Sequence, residues 1–127
     1  MKVWAEALLQ VIVGEQLGSV TFVQDYVQLA FDGSCLTAVT VPTVEAAGHT
    51  FRWGDAGYRD ELCERIARRV TAARIERGVA IVIAFDDGAL VRVSLRAEDL
   101  QGLSAESATF QGALGTPLVV FRPGEDP

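Results

Sequence analysis

His49 is the only histidine of the chain, in the segment TVEAAGHTFRWGD (residues 43–55) with Arg52, Trp53 and Asp55, just ahead of Tyr58 and Arg59. Imidazole is the side chain most often used for general acid–base work, so catalysis would be sought first at His49. It has no nucleophile to serve. Gly102-Leu103-Ser104-Ala105-Glu106 approaches a nucleophile elbow but lacks the closing glycine, and no catalytic set can be assembled from spacing. His49 then reads as a surface residue of a loop or edge strand. The segment does hold aromatic and arginine side chains, the types that dominate binding hot spots, on an irregular stretch of the kind that carries function on a rigid scaffold. The candidate interaction patch is His49, Arg52, Trp53, Tyr58 and Arg59. The competing reading has Trp53 covering the start of a helix and Asp55 capping it.

Other chemistry is weaker. Asp32-Gly33 and Asp86-Asp87-Gly88 carry carboxylates that suit a hard cation, yet Asp before Gly is what a tight turn requires for backbone reasons, and turn chemistry is the preferred reading. Cys35 and Cys63 have no CxxC spacing and no histidine cluster, so neither a zinc site nor any other metal is expected; they read as small hydrophobes. No phosphate-binding loop is present, and no cofactor is expected. Arg65, Arg68, Arg69, Arg74 and Arg77 are close in sequence, but interleaved aromatics are missing, and helix-dipole and ion-pair roles account for most of them. A net charge of −6 opposes general nucleic-acid binding, which needs basic side chains to displace counterions.

The elements that must position the patch follow from periodicity. Val79 to Leu95, VAIVIAFDDGALVRVSL, states a hairpin: Val79, Ile81, Ile83 and Phe85 alternate with Ala80, Val82 and Ala84. A strand apolar on both faces is expected to be central and covered on both sides. Asp86-Asp87-Gly88 supplies the turn, and Val91, Val93 and Leu95 alternate with Arg92 and Ser94 on the return. From Asp55, the residues Tyr58, Leu62, Cys63, Ile66, Ala67 and Val70 form a helical stripe, with acids early and arginines late. Residues 3–14 read as a first amphipathic helix through Trp4, Leu8, Val11 and Ile12. Strands are expected over 19–23, 26–31, 35–41 and 71–76, with a short edge strand through His49, Phe51 and Trp53. A helical turn at 97–100 and two short edge strands at 106–111 and 117–121 complete the chain; 122–127 is expected to fray.

A slide of 54 positions lays YVQLAFDGSCLTAVTV (residues 26–41) over AIVIAFDDGALVRVSL (residues 80–95), matching Ala30, Phe31, Asp32, Leu36 and Val39 with Ala84, Phe85, Asp86, Leu90 and Val93. Trp4, Leu8 and Ile12 fall on Tyr58, Leu62 and Ile66 at the same offset, whereas the first strand of each unit needs a shift. This suggests a duplicated αβββ unit (residues 3–42 and 57–95) related by a pseudo-two-fold. The expected fold is α+β: one domain over 1–121, an antiparallel sheet of about six strands, and two helices on one face or end.

With 127 residues, half of them hydrophobic, the chain can bury a single real core. Glu6, Gln10 and Glu15 interrupt the N-terminal apolar run, which makes a poor export signal, and no run approaches the ~18–20 residues of a membrane span. A cytoplasmic location is expected. The stretches FVQDYVQLAFDG (residues 22–33), GDAGYRDELCERIARRV (residues 54–70) and SLRAEDL (residues 94–100) resemble a group of small uncharacterised bacterial proteins with a Phe-Val-x-Asp-Tyr run, an Asp-x-Gly-aromatic-Arg-Asp helix start and a Ser-Leu-Arg-x-Glu-Asp segment. That resemblance implies a bacterial cytoplasmic origin; it carries no assigned activity and contributes no functional residues. The expected function is a non-catalytic protein-interaction module, self-associating (a homodimer) or of immunity or regulatory type. The alternative is a small enzyme or ligand-binding protein with a pocket near His49, Arg52 and Trp53.

Overall fold

The computed structural model describes residues 3–100, 106–112 and 116–123. A helix α1 (Val3–Leu9) runs into a 3-10 turn (Gln10–Ile12), and strands β1 (Ser19–Val23), β2 (Tyr26–Ala30) and β3 (Cys35–Ala38) follow as a meander. Next come β4 (Thr43–Ala46) and β5 (His49–Phe51). Helix α2 (Tyr58–Cys63) precedes a second meander, β6 (Val70–Glu76), β7 (Ala80–Phe85) and β8 (Leu90–Ser94). A 3-10 turn (Ala97–Asp99), β9 (Ala108–Gln111) and β10 (Leu118–Phe121) complete it.

The expected single sheet of about six strands is replaced by two sheets of five, ordered β1-β2-β3-β9-β10 and β5-β4-β8-β7-β6. Each meander is extended by the short hairpin from the other half of the chain: Leu36 pairs with Phe110, and Val91 with Val44. Strand β9 is therefore interior rather than an edge, and β7 lies beside the edge strand β6 rather than at the centre. The two apolar faces of β7 have different covers. Ile81, Ile83 and Phe85 join the main core. Val82, fully buried, stands in register between Arg74 and Arg92, and Arg92 pairs with Glu45 (3.0 Å) and Glu76 (2.8 Å). Arginine stems over an apolar residue, with their heads in an ion ladder, keep water from it. Buried positions of both sheets and both helices form one cluster, including Leu9, Leu29, Phe110, Phe121, Leu62, Ile83 and Val93.

Both helices are shorter than their stripes. The second ends at Cys63 because the chain then turns through Ala67, whose φ of 73° no helix tolerates; Arg65, not Ile66, takes the next buried place, and Ile66 and Cys63 are exposed. Gly57, with φ 85°, occupies the N-cap position without a side-chain cap. Asp55 instead accepts the Arg52 backbone N–H at 2.8 Å, closing the turn before the helix.

Where the halves meet, the backbone bonds come in exchange-related pairs. The N–H of Gly14 donates to Val70 O (2.8 Å), and that of Ala67 to Leu17 O (2.8 Å). The N–H of Val70 donates to Glu15 O (2.9 Å), and that of Leu17 to Arg68 O (3.1 Å). Gln16 bridges Arg69 between them. Exchanging Gly14 with Ala67, Glu15 with Arg68 and Leu17 with Val70 maps this set onto itself. α1 lies against β6 and α2 against β1, again exchanged. The side-chain amide of Gln10 donates to Ala73 O on β6, which satisfies part of an edge that would otherwise be open.

Candidate functional site

The β5–α2 connection brings part of the expected patch together. Trp53 is 49 % exposed, yet held on two sides. Its indole meets the Tyr58 ring edge-on at 5.8 Å between centroids, and the Arg59 guanidinium lies 4.7 Å from its centroid. Arg59 also reaches the Phe22 ring of β1, at 5.9 Å. The local sequence explains the arrangement. Gly54 and Gly57 adopt φ of 93° and 85°, which turns the chain back over itself, and Asp55 locks the turn. The first residues of α2 then point Tyr58 inward and Arg59 outward.

Tyr58 is buried, and its hydroxyl donates to the carbonyl of Pro42. Burial pushes its phenol well above the ordinary range, only partly opposed by the charge of Arg59. It is a support for Trp53 rather than a surface group. His49 is exposed on the edge strand β5, 6.3 Å from the ring of Phe51, and Arg52 is exposed at the start of the turn. Phe22 is the member that sequence reasoning missed. Alternation along β1 marks it as half-buried, and only the docking of α2 on β1 brings it to Arg59.

A cleft of about 350 Å³ opens beside this cluster, lined by Gly54 to Asp60. It is polar and open, and neither His49, Arg52 nor Trp53 lines it. Arg59, Asp55 and Asp60 give it charges of both signs, without a general base paired to a nucleophile. Residues 102–105 of the elbow-like segment and residues 124–127 of the tail lie outside the described residues.

The arginine run distributes itself over carboxylates. Arg65, with a side chain only 8 % exposed, lies 3.3 Å from Asp87 and 3.8 Å from Glu61. Arg68 lies 3.7 Å from Asp87 and 4.0 Å from Asp86, Arg74 3.6 Å from Glu76, and Arg69 donates to Gly14 O at 2.8 Å. Asp87 also accepts the N–H of Ala89 at 3.1 Å, as an aspartate in a turn does. Among the described residues, no group of three or more His, Cys, Asp or Glu side chains is placed to hold a metal ion, and no helix is long and apolar enough to cross a membrane. No protein-family model, curated protein or solved structure matches the chain.

Proposed function

We propose that the chain is a non-catalytic protein-interaction module that engages its partner, a second copy or another protein, through Trp53, Arg59 and Phe22, flanked by His49 and Arg52. The observation that carries this reading is the fixation of a half-exposed tryptophan between Tyr58 and Arg59. An aromatic surface already ordered before docking loses little side-chain entropy on binding, and Trp, Tyr and Arg are the residues in which interface energy concentrates. Arg52 and Arg59 place positive charge beside the exposed indole, so a partner with acidic groups around an apolar centre fits it.

The test is sedimentation velocity of the whole chain over about 1–100 µM, the range of transient contacts, together with photo-crosslinking from position 53 in the native cell. Wild type is expected to self-associate or to form a discrete adduct, and Arg59→Ala to abolish either one while leaving the melting temperature within about 2 °C. A monomer at every concentration with no adduct, or an adduct unaffected by Arg59→Ala, overturns the reading. The cleft along Gly54 to Asp60 favours the second reading, a small-ligand site. Its polar, open walls offer less burial than ligand pockets usually do.

We infer in addition that the two halves are a duplicated unit longer than αβββ, one helix and five strands each, with the last two strands exchanged. The exchange-related bonds at the Gln16–Arg69 bridge support this, as does the agreement of registers: Leu29–Leu36 answers Ile83–Val91, and Leu36–Phe110 answers Val91–Val44. Halves that fail to superpose in an experimentally determined structure would remove it.

A further inference from the structure

Beneath the β2–β3 tip, Leu8, Val11, Glu15, Asp32, Ser34 and Phe110 line a cleft of about 90 Å³, on a different set of elements from the Trp53 patch. One of its carboxylate oxygens is unmatched among the described residues. Oε1 of Glu15 is buried without a hydrogen-bond partner. Ser34, only 6 % exposed, lines the same cleft. No described Lys, Arg or His forms an ion pair with Glu15 or Asp32. Desolvation first, and the charge of Asp32 second, raise the Glu15 carboxyl above its ordinary pKa, against a backbone N–H that Asp32 donates to it.

The other half shows what this geometry accepts. By the exchange at the Gln16–Arg69 bridge, Glu15 stands where Arg68 stands, and Asp32 where Asp86 stands, each just after the phenylalanine that closes its hairpin. There Arg68 lies against Asp86 and Asp87. Beneath the β2–β3 tip the aspartate remains, and a carboxylate replaces the guanidinium.

We propose that this cleft binds an organic cation, an alkylguanidinium or alkylammonium, with its stem against Leu8, Val11 and Phe110 and its head between Glu15 and Asp32, donating to Ser34 Oγ. A hard metal ion fits less well, because it wants six or more oxygen ligands, and the cleft's side chains supply two carboxylates and the hydroxyls of Ser34 and Thr116 between apolar walls. The volume is about that of three liquid waters at roughly 30 Å³ each, enough for a charged head group. Charge-assisted hydrogen bonds to carboxylates are the strong kind, and such a head group would satisfy the buried Oε1 of Glu15.

The experiment is a titration of the whole chain with n-butylguanidinium and n-butylammonium, followed by amide chemical shifts, with n-butanol as the neutral control. Saturable shifts at Glu15, Asp32 and Ser34 are expected with the cations and none with n-butanol. Glu15→Gln and Asp32→Asn are each expected to weaken binding by about tenfold or more. Glu15→Arg, which places the chain's own guanidinium in the cleft, is expected to remain folded and not to bind. A capped Gly-Arg-Gly peptide distinguishes the sources: tighter binding than n-butylguanidinium assigns the site to a partner's arginine, weaker binding to a free small molecule. Absence of saturation at about 50 mM, binding retained in both Glu15→Gln and Asp32→Asn, or Mn²⁺ broadening at these residues that n-butylguanidinium does not reverse would overturn the proposal.

Discussion

At the β7–β8 tip, Asp86 and Asp87 face Arg65 and Arg68; at the β2–β3 tip, Asp32 faces Glu15. Both tips close a hairpin with an aspartate and a left-handed glycine, Gly33 and Gly88 at φ of 85° each, so the backbone requirement is the same. The electrostatics are opposite. One tip is complete in itself, its carboxylates answered from the α2–β6 connection; at the other, Asp32 and Glu15 oppose each other's charge, which a proton or a bound cation would relieve. A feature that recurs with its chemistry intact is explained by folding. The same feature with its counter-charge removed asks for another explanation, which separates the two tips functionally although both read as turns.

The comparison breaks most sharply at the positions behind the tips, Ile12 in one half and Arg65 in the other. Both are buried, but Ile12 contributes apolar contact and Arg65 an ion pair. Ile12→Ala is expected to cost about 2–5 kcal/mol by cavity formation. Arg65→Ala is expected to cost about 2–3 kcal/mol, because it leaves the partly buried Asp87 with only the half-exposed Arg68 as counter-charge. Arg65→Met should recover most of that loss, since an apolar side chain of similar volume often replaces a buried ion without net cost. Chemical denaturation of the three variants checks the order; an Arg65→Met protein no more stable than Arg65→Ala would show that the charge, not the volume, holds the tip.

A second contrast lies at the crossing of the halves, where Gly14 adopts φ 89° and Ala67 φ 73°. Nothing lies within 4 Å of a Cβ built on Gly14, so Gly14→Ala is expected to destabilise through backbone strain alone, by about 1–2 kcal/mol. Ala67→Gly relieves the same strain but loosens the unfolded chain, for a net gain of about 0.5 kcal/mol. Opposite shifts in thermal melting would establish that the two positions are conformationally equivalent; shifts of the same sign would break the equivalence.

The helices differ in a comparable way, with Ala5 buried in α1 and Tyr58 in α2. Only Tyr58 reaches a carbonyl, that of Pro42 ahead of β4. Tyr58→Phe leaves that acceptor unpaired and is expected to cost about 1 kcal/mol, together with a change in Trp53 fluorescence if the phenol ring fixes the indole. Unchanged emission would detach the support from the patch.

Local grammar made the hairpins legible: alternation in Ile81, Ile83, Val91 and Val93 and an Asp-Gly tip fix the meanders without reference to anything distant. Partner choice was not legible, because whether β4 joins β3 or β8 depends on contacts across the whole chain. The proposed duplication was blurred in the sequence for a related reason. The loops between paired residues are one longer in each hairpin of the second half, Val23–Tyr26 against Glu76–Ala80 and Ala30–Cys35 against Ala84–Leu90. The offset therefore drifts, and Leu36 corresponds to Val91 rather than Leu90. The α2 stripe ran on to Val70 because apolar spacing cannot reveal an alanine forced to positive φ. Trp53 and Arg59 stood out by residue type; Phe22 and the Glu15–Asp32 pair did not, since each acquires its neighbour only through tertiary contact.

The gentlest effect is the pH dependence carried by the unanswered tip. The folded state holds the Glu15 proton more tightly than the unfolded chain does, because burial and the Asp32 charge both oppose ionisation. Folded protein thus binds more protons than unfolded protein between the ordinary carboxyl pKa and the raised one, and stability falls as pH rises through that window. The contribution is fully present below the unfolded value and lost above the folded one. Glu15→Gln keeps the shape and removes the charge, so it is expected to melt about 1–3 °C above wild type at pH 7, with the difference closing toward acid pH. The corresponding arginine variant, Arg68→Gln, loses an exposed ion pair and should move little at any pH. Parallel melting curves for wild type and Glu15→Gln across this range would mean that Glu15 is fully hydrated when folded, and that the two tips differ in sequence without differing in energy.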